Sequence, residues 1–60
     1  MNLHTITQCM QVTVAIKKQL DYLQNAILSE DDRDCMEAIE QIEYLIFKLK
    51  EEKKRWQEQH

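Results

Sequence analysis

Glycine and proline are both absent from this 60-residue chain, and no other feature of the sequence restricts its fold so strongly. The tight turns that join β-strands usually need one of these residues to reach their backbone angles. The interior of an α-helix needs neither, and both are unfavourable there. The composition therefore predicts an all-α chain.

Two amphipathic segments flank one polar stretch, Ser29 to Asp34. Their apolar residues recur at steps of three and four, which places them on one stripe of each helix. The stripe residues are Ile6, Cys9, Ile16, Leu20, Leu23 and Ile27 in the first segment, and Cys35, Ile39, Ile42, Ile46, Leu49 and Trp56 in the second. The residues that widen the stripes are Met10, Val12, Ala26, Ala38 and Leu45. The polar Thr13 and Lys53 interrupt the stripes.

The polar stretch distinguishes a hairpin from one continuous helix, which would be about 90 Å long. A continuous helix would carry Asp31 on the apolar stripe and shift its phase. Ser29 followed by Asp32 fits a capping box that starts a second helix, although no glycine is present to end the first one. We therefore predict a single-domain antiparallel helical hairpin. Its predicted elements are a helix over about 2–28, a turn over about 29–31 and a helix over about 31–57.

A lone hairpin of this size leaves half of each apolar stripe uncovered. Two hairpins that pair as a four-helix bundle would bury both stripes. We therefore expect a homodimer with the stripe residues as its core. Within one hairpin Cys9 and Cys35 are about 25 Å apart, which excludes a disulfide. In an antiparallel dimer, Cys9 of one protomer would lie near the level of Cys35 of the other.

Charge and composition argue against several classes of function. The net charge is −3 at pH 7, which is opposite in sign to the charge that phosphate backbones attract. No stretch reaches the roughly 20 consecutive apolar residues that cross a bilayer. Two cysteines do not form the dense disulfide framework of a small secreted domain. We therefore expect a cytoplasmic protein with reduced thiols.

No set of residues indicates catalysis, a cofactor or a metal site. His4 and Cys9 are five residues apart and so lie on different helix faces, and His60 completes no tetrahedral set with them. None of the serine, histidine and carboxylate arrangements of nucleophilic catalysis is present, and short helices form no deep pocket. The sequence therefore predicts a non-enzyme.

Tyr44 and Phe47 are three residues apart and lie off the apolar stripe. Such a pair either rests on the aliphatic stems of Lys48 and Lys50 or forms a docking surface, where aromatic residues supply most of the binding energy. The leading hypothesis is a protein-interaction module with regulatory function that binds its partner through Tyr44, Phe47 and Lys48. A purely structural oligomerisation module is another possibility that the sequence leaves open.

The second segment ends in a run of alternating charges. Its members are Lys48, Lys50, Lys53, Lys54 and Arg55, with Glu51, Glu52 and Glu58 between or after them. Alternation at these spacings is typical of ion pairs along a helix. A basic patch that contacts phosphate is the alternative interpretation.

The hairpin layout, the acidic turn and the cysteine just after it, Cys35, resemble the Rop family of plasmid copy-number regulators. This resemblance implies an antiparallel four-helix dimer that binds paired RNA loops through the outer face of its first helix. The comparable positions are Gln11, Lys18 and Asn25, with Gln8 and Tyr22 beside them. The first helix departs from that pattern in having only two lysines. The alternative hypothesis is therefore kept second: an RNA-binding regulator that uses Lys17, Lys18, Tyr22 and Asn25.

The general character of the whole chain is also similar to the small helical proteins encoded in the early region of lambdoid phages, between the recombination and excision genes. This resemblance implies a dispensable modulator that binds a host or phage protein.

Overall fold

The computed structural model describes the backbone of residues 1–58 and the side chains of residues 1–56. It contains two helices, α1 (Leu3–Leu28) and α2 (Asp32–Glu58). They pack side by side in opposite directions, and their Cα atoms span 46 × 15 × 10 Å. The all-α helical hairpin that the composition and periodicity predict is therefore confirmed.

Asn2 caps the start of α1. Its side-chain Oδ1 accepts a hydrogen bond from the backbone N–H of Thr5 at 2.8 Å, and its carbonyl accepts one from Ile6 at 3.1 Å. The first N–H groups of a helix have no partner within the helix, so a polar side chain at this position satisfies one of them. The first helix therefore begins at the residue where its sequence supplies an acceptor.

Helix α1 ends in a Schellman motif whose left-handed residue is Glu30, with φ at 55°. The backbone N–H of Glu30 donates to the carbonyl of Ile27 at 3.1 Å, and that of Asp31 donates to Ala26 at 3.0 Å. These two bonds satisfy carbonyl groups that the helix leaves open. Glycine usually occupies this position because a Cβ atom disfavours positive φ. Here a glutamate adopts the conformation, because the turn between the packed helices requires it.

The predicted capping box at Ser29 is wrong. The Ser29 hydroxyl donates to the carbonyls of Asn25 and Ala26, at 3.1 and 3.2 Å, so it caps the end of α1. The cap of α2 is Asp31, whose Oδ1 accepts from the backbone N–H of Asp34 at 3.0 Å. The left-handed residue reverses the chain within two residues, so the capping position falls at Asp31 and not at Ser29.

Replacing Glu30 by glycine is expected to stabilise the hairpin. The substitution removes the steric cost of a Cβ atom at positive φ, which is about 1 kcal/mol. Urea unfolding followed by circular dichroism would show a higher midpoint with an unchanged slope. The control is Glu30→Ala, which keeps the Cβ atom and should not gain stability. An equal gain in both variants would contradict a conformational origin and point to the loss of the glutamate charge.

The two helices meet along a seam of mostly small side chains. Thr5, Val12, Ala26 and Ala38 are only 1 to 7% exposed. Small residues at these positions allow the two backbones to approach closely. Among the described residues no large side chain is fully buried, so most of the aliphatic bulk of the chain lies outside this seam.

Candidate interaction surfaces

One side of the hairpin carries five large aliphatic residues that the chain does not cover. They are Ile6, Leu20, Ile27, Ile39 and Ile46, and together they form what we call the aliphatic face. Each is between 38 and 59% exposed. Monomeric proteins seldom expose a continuous apolar surface along their whole length. The aliphatic face is therefore the first candidate site of interaction.

Helix geometry places these five residues on the same side of the hairpin. Ile6 and Ile27 directly follow the seam residues Thr5 and Ala26, and Ile39 follows Ala38. One residue advances about 100° around a helix. Because the two helices run in opposite directions, the residue that follows a seam residue lies on the same side of the hairpin in both helices.

The remaining predicted core residues lie between the seam and the aliphatic face. They are Cys9, Ile16, Leu23, Cys35, Ile42, Leu49 and Trp56, and all of them are half-buried. Both cysteines are free thiols. The predicted core therefore divides into a half-buried row next to the seam and an exposed row beyond it.

Tyr44, Phe47 and Lys48 form a second surface on α2, which we call the outer patch. Tyr44 and Phe47 are 56 and 58% exposed. The Nζ atom of Lys48 lies 5.5 Å from the centre of the Tyr44 ring, a distance at which a cation is attracted to the ring face. The ammonium group of Lys48 therefore lies over the Tyr44 ring, yet Tyr44 and Phe47 each stay more than half exposed.

Tyr22 lies beside carboxylates on the other helix. Partial burial raises the pKa of the Tyr22 hydroxyl above 10.0, and so do its hydrogen bond to Asp34 and the negative charges of Asp34, Glu37 and Asp31. Each of these effects disfavours the ionised phenolate. Carboxylates at this position also repel phosphate groups.

The four residues of the RNA-binding hypothesis do not form a single basic surface. All four are exposed: Lys17, Lys18, Tyr22 and Asn25. Lys17 and Lys18 are consecutive and so point about 100° apart. Lys18, Tyr22 and Asn25 share one side of α1, but the carboxylates next to Tyr22 make that side acidic.

The environment of Tyr22 predicts a high titration midpoint. In a Tyr44→Phe variant, Tyr22 is the only tyrosine, and its ultraviolet absorbance should change above pH 10.0, its ordinary pKa. The folded state holds the proton of the Tyr22 hydroxyl more tightly than the unfolded state does. The stability that this difference adds is complete below pH 10.0 and is lost as the pH rises through the raised pKa. Adding Asp34→Asn should lower the midpoint. An unchanged midpoint would show that Asp34 does not contact the hydroxyl.

Ion pairs within α2 involve two of the five residues of the basic stretch. The Nζ atom of Lys54 lies 3.2 Å from Glu51, and the guanidinium of Arg55 lies 3.2 Å from Glu52. Near the start of the helix, Arg33 lies 3.6 Å from Glu37. Pairs at these spacings stabilise a helix modestly. Neutralised side chains of this kind favour the helical-ion-pair interpretation over a phosphate-binding patch.

The sequence patterns did not single out a shallow groove on α1, lined by Ile6, Thr7, Met10, Gln11 and Val14. Met10 and Val14 are 59 and 48% exposed. Their spacing of four residues was the available signal, because residues four apart are neighbours on a helix surface. The apolar surface of α1 therefore extends past the aliphatic face at this end.

Within the part of the chain that the structure describes, no group of three or more histidine, cysteine or acidic side chains is placed to hold a metal ion. His60 lies outside the described residues. Neither described helix has a segment long and apolar enough to cross a membrane. Comparison with protein-family models, with curated proteins and with solved structures finds no match to this chain.

Proposed function

We propose that this chain is a small non-enzymatic protein-interaction module that binds a protein partner through the outer patch of Tyr44, Phe47 and Lys48. The observation that supports this function is a pair of neighbouring aromatic residues, each more than half exposed. Aromatic residues are enriched at the energetic centre of protein interfaces. The proposal includes a regulatory role of the phage type, in which the partner is a host or phage protein.

The chemistry of the outer patch favours a partner with an apolar groove or an amphipathic helix. Tyr44 offers a ring face and a hydroxyl group, and Phe47 offers an apolar ring one helical turn away. Lys48 already lies over the Tyr44 ring, so a carboxylate of the partner would complete a charge pair beside the aromatic contact. Such a site binds an acidic, partly apolar peptide surface.

The test is a pull-down from bacterial lysate that compares the wild type with a Tyr44→Ala, Phe47→Ala double variant. The double variant should keep its helical content and lose the partner, because both changed side chains are exposed in the hairpin. The matched control is Tyr22→Ala, which removes an exposed aromatic from the other helix. A protein that binds all three chains equally would contradict the proposal.

Nuclease treatment and salt separate this function from RNA binding. Binding through phosphate contacts weakens steeply as the salt concentration rises, whereas aromatic docking changes little. Retention of the partner after nuclease treatment and at high salt is the expected result. A bound RNA that depends on Lys18 and Tyr22 would overturn the proposal in favour of the RNA-binding alternative.

A further inference from the structure

The heptad spacing of the aliphatic face continues into residues that are not aliphatic. On α1 the series is Ile6, Thr13, Leu20 and Ile27, and on α2 it is Asp32, Ile39, Ile46 and Lys53. The α2 series begins with an acid and ends with a base. Suppose that a second copy of either series runs beside the first in the opposite direction. Each large side chain then faces one of equal or smaller size, and the acid faces the base.

We propose that the aliphatic face binds a second copy of this chain in antiparallel orientation, and that Lys53 of each protomer pairs with Asp32 of the other to fix that orientation. This surface is separate from the outer patch, so the proposal does not depend on the function proposed above. It assigns a role to Lys53, the charged residue that interrupts the stripe of α2.

A single two-fold axis serves both helices. An axis perpendicular to the helices and lying in the contact plane places α1 on α1 and α2 on α2 in reverse, which is an isologous contact. It would pass between residues 16 and 17 on α1 and between residues 42 and 43 on α2. Measured along the hairpin from Glu30 in the turn, the distances to these two points differ by one residue, about 1.5 Å. One axis can therefore pass through both points.

Contacts across this axis are complementary. Ile6 would meet Ile27 of the partner, and Leu20 would meet the smaller Thr13. On α2, Ile39 would meet Ile46 of the partner, and Lys53 would meet Asp32. The half-buried row of the predicted core would then point towards the centre of a four-helix bundle.

A parallel copy is disfavoured by the same residues. With the two turns at one end, α1 would lie against α2 of the partner, and Lys53 would face the partner near Ile6. Asp32 would likewise lie near Ile27, and a charge against aliphatic side chains is unfavourable without a partner. The acidic turns, each with Glu30 and Asp31, would also lie side by side and repel each other.

The open end of the hairpin contains a hydrogen-bond donor without a partner. Within the described residues, the indole Nε1–H of Trp56 is buried and makes no hydrogen bond. Buried donors are normally satisfied. In the antiparallel arrangement the acidic turn of the partner lies at the level of this donor.

The side of the hairpin that carries the aliphatic face is comparable in size to the surface that one partner buries in a stable complex. The Cα envelope of 46 × 15 Å outlines a face of about 700 Å² before side chains are included, compared with about 800 Å² buried per partner in a typical stable complex. The exposed residues at its centre are aliphatic, as in interfaces between identical subunits.

The test uses two single charge reversals, Lys53→Glu and Asp32→Lys, measured by sedimentation equilibrium. Each variant alone places like charges at both ends of its own homodimer, and Kd should rise about tenfold or more. A mixture of the two variants should form a heterodimer with a Kd within about threefold of the wild type, because every acid then faces a base. Restoration on mixing requires contact between chains, since loss of stability within one chain is not repaired by a second variant.

The matched control is Lys18→Glu, which changes the charge equally on the far side of α1 and should leave Kd unchanged. Mixed with Asp32→Lys, it should form no heterodimer of wild-type affinity, because one end of that heterodimer still places two lysines together. Two results would overturn the proposal. One is a wild-type chain that stays monomeric up to about 100 µM, where even a micromolar dimer would be populated. The other is a wild-type dimer with no recovery in the mixture of Lys53→Glu and Asp32→Lys.

Discussion

Replacing Leu20 by aspartate is expected to abolish the dimer and most of the helical signal together. Leu20 of each protomer would face Thr13 of the other in the proposed dimer, so the dimer would bury two uncompensated carboxylates. Kd should rise by about a thousandfold or more, equivalent to about 4 kcal/mol. Size-exclusion chromatography with light scattering and far-ultraviolet circular dichroism measure both changes.

The matched control for Leu20→Asp is Val14→Asp. The two residues are on the same helix and are 49 and 48% exposed in the hairpin, but Val14 lies away from the aliphatic face. If the chain were a monomer, both substitutions should have the same small effect on the helical signal, because the two residues are equally exposed. If the proposed dimer forms, only Leu20→Asp should greatly weaken dimerisation and reduce the helical signal. Equal results for the two variants would refute the aliphatic face as the contact surface.

Replacing Ala38 by leucine is expected to destabilise the hairpin by about 2 kcal/mol. Ala38 is 1% exposed at the seam, and extra carbon atoms there force the helices apart. On an exposed helical surface the same leucine would be nearly neutral, because alanine and leucine are both good helix formers. Thermal unfolding of the variant should show a clearly lower Tm.

Met36→Leu is the control for the seam substitution. Met36 is two residues away and 56% exposed, so a leucine there should change stability by less than about 0.5 kcal/mol. A fully stable Ala38→Leu variant would mean that the helices are not closely packed at this level. The pair of variants therefore measures how tightly the seam is packed.

The two surfaces have different expected sensitivities. Substitutions in the aliphatic face should change assembly and stability together, because the seam alone buries mostly small residues. Substitutions in the outer patch should change only partner binding, since Tyr44 and Phe47 remain largely exposed. A dimer would also present two copies of the outer patch, which raises the apparent affinity for a partner with two sites.

The environment of Tyr22 could not be derived from the sequence. Tyr22 and Asp34 are twelve residues apart and on different helices, so only the packing of the hairpin brings the hydroxyl to the carboxylate. Pattern analysis instead grouped Tyr22 with two lysines and an asparagine of its own helix. The acidic neighbours contributed by the second helix make that side less favourable for phosphate.

The sequence by itself determined the two helices and the position of the break between them. Helical periodicity and the absence of glycine and proline are local properties, and they favour the same conformation along each segment. The outer patch could also be predicted, because Tyr44 and Phe47 are displaced from the stripe by helical spacing alone.

Only the tertiary structure decided which apolar residues cover the partner helix and which remain exposed. The apolar stripe is wider than one neighbouring helix can cover, so the small residues Val12, Ala26 and Ala38 occupy the seam and the larger aliphatic residues stay outside it. The caps were decided in the same way. The turn that joins the packed helices places Glu30 in the left-handed conformation, and that geometry gives the second cap to Asp31 and leaves Ser29 to end the first helix.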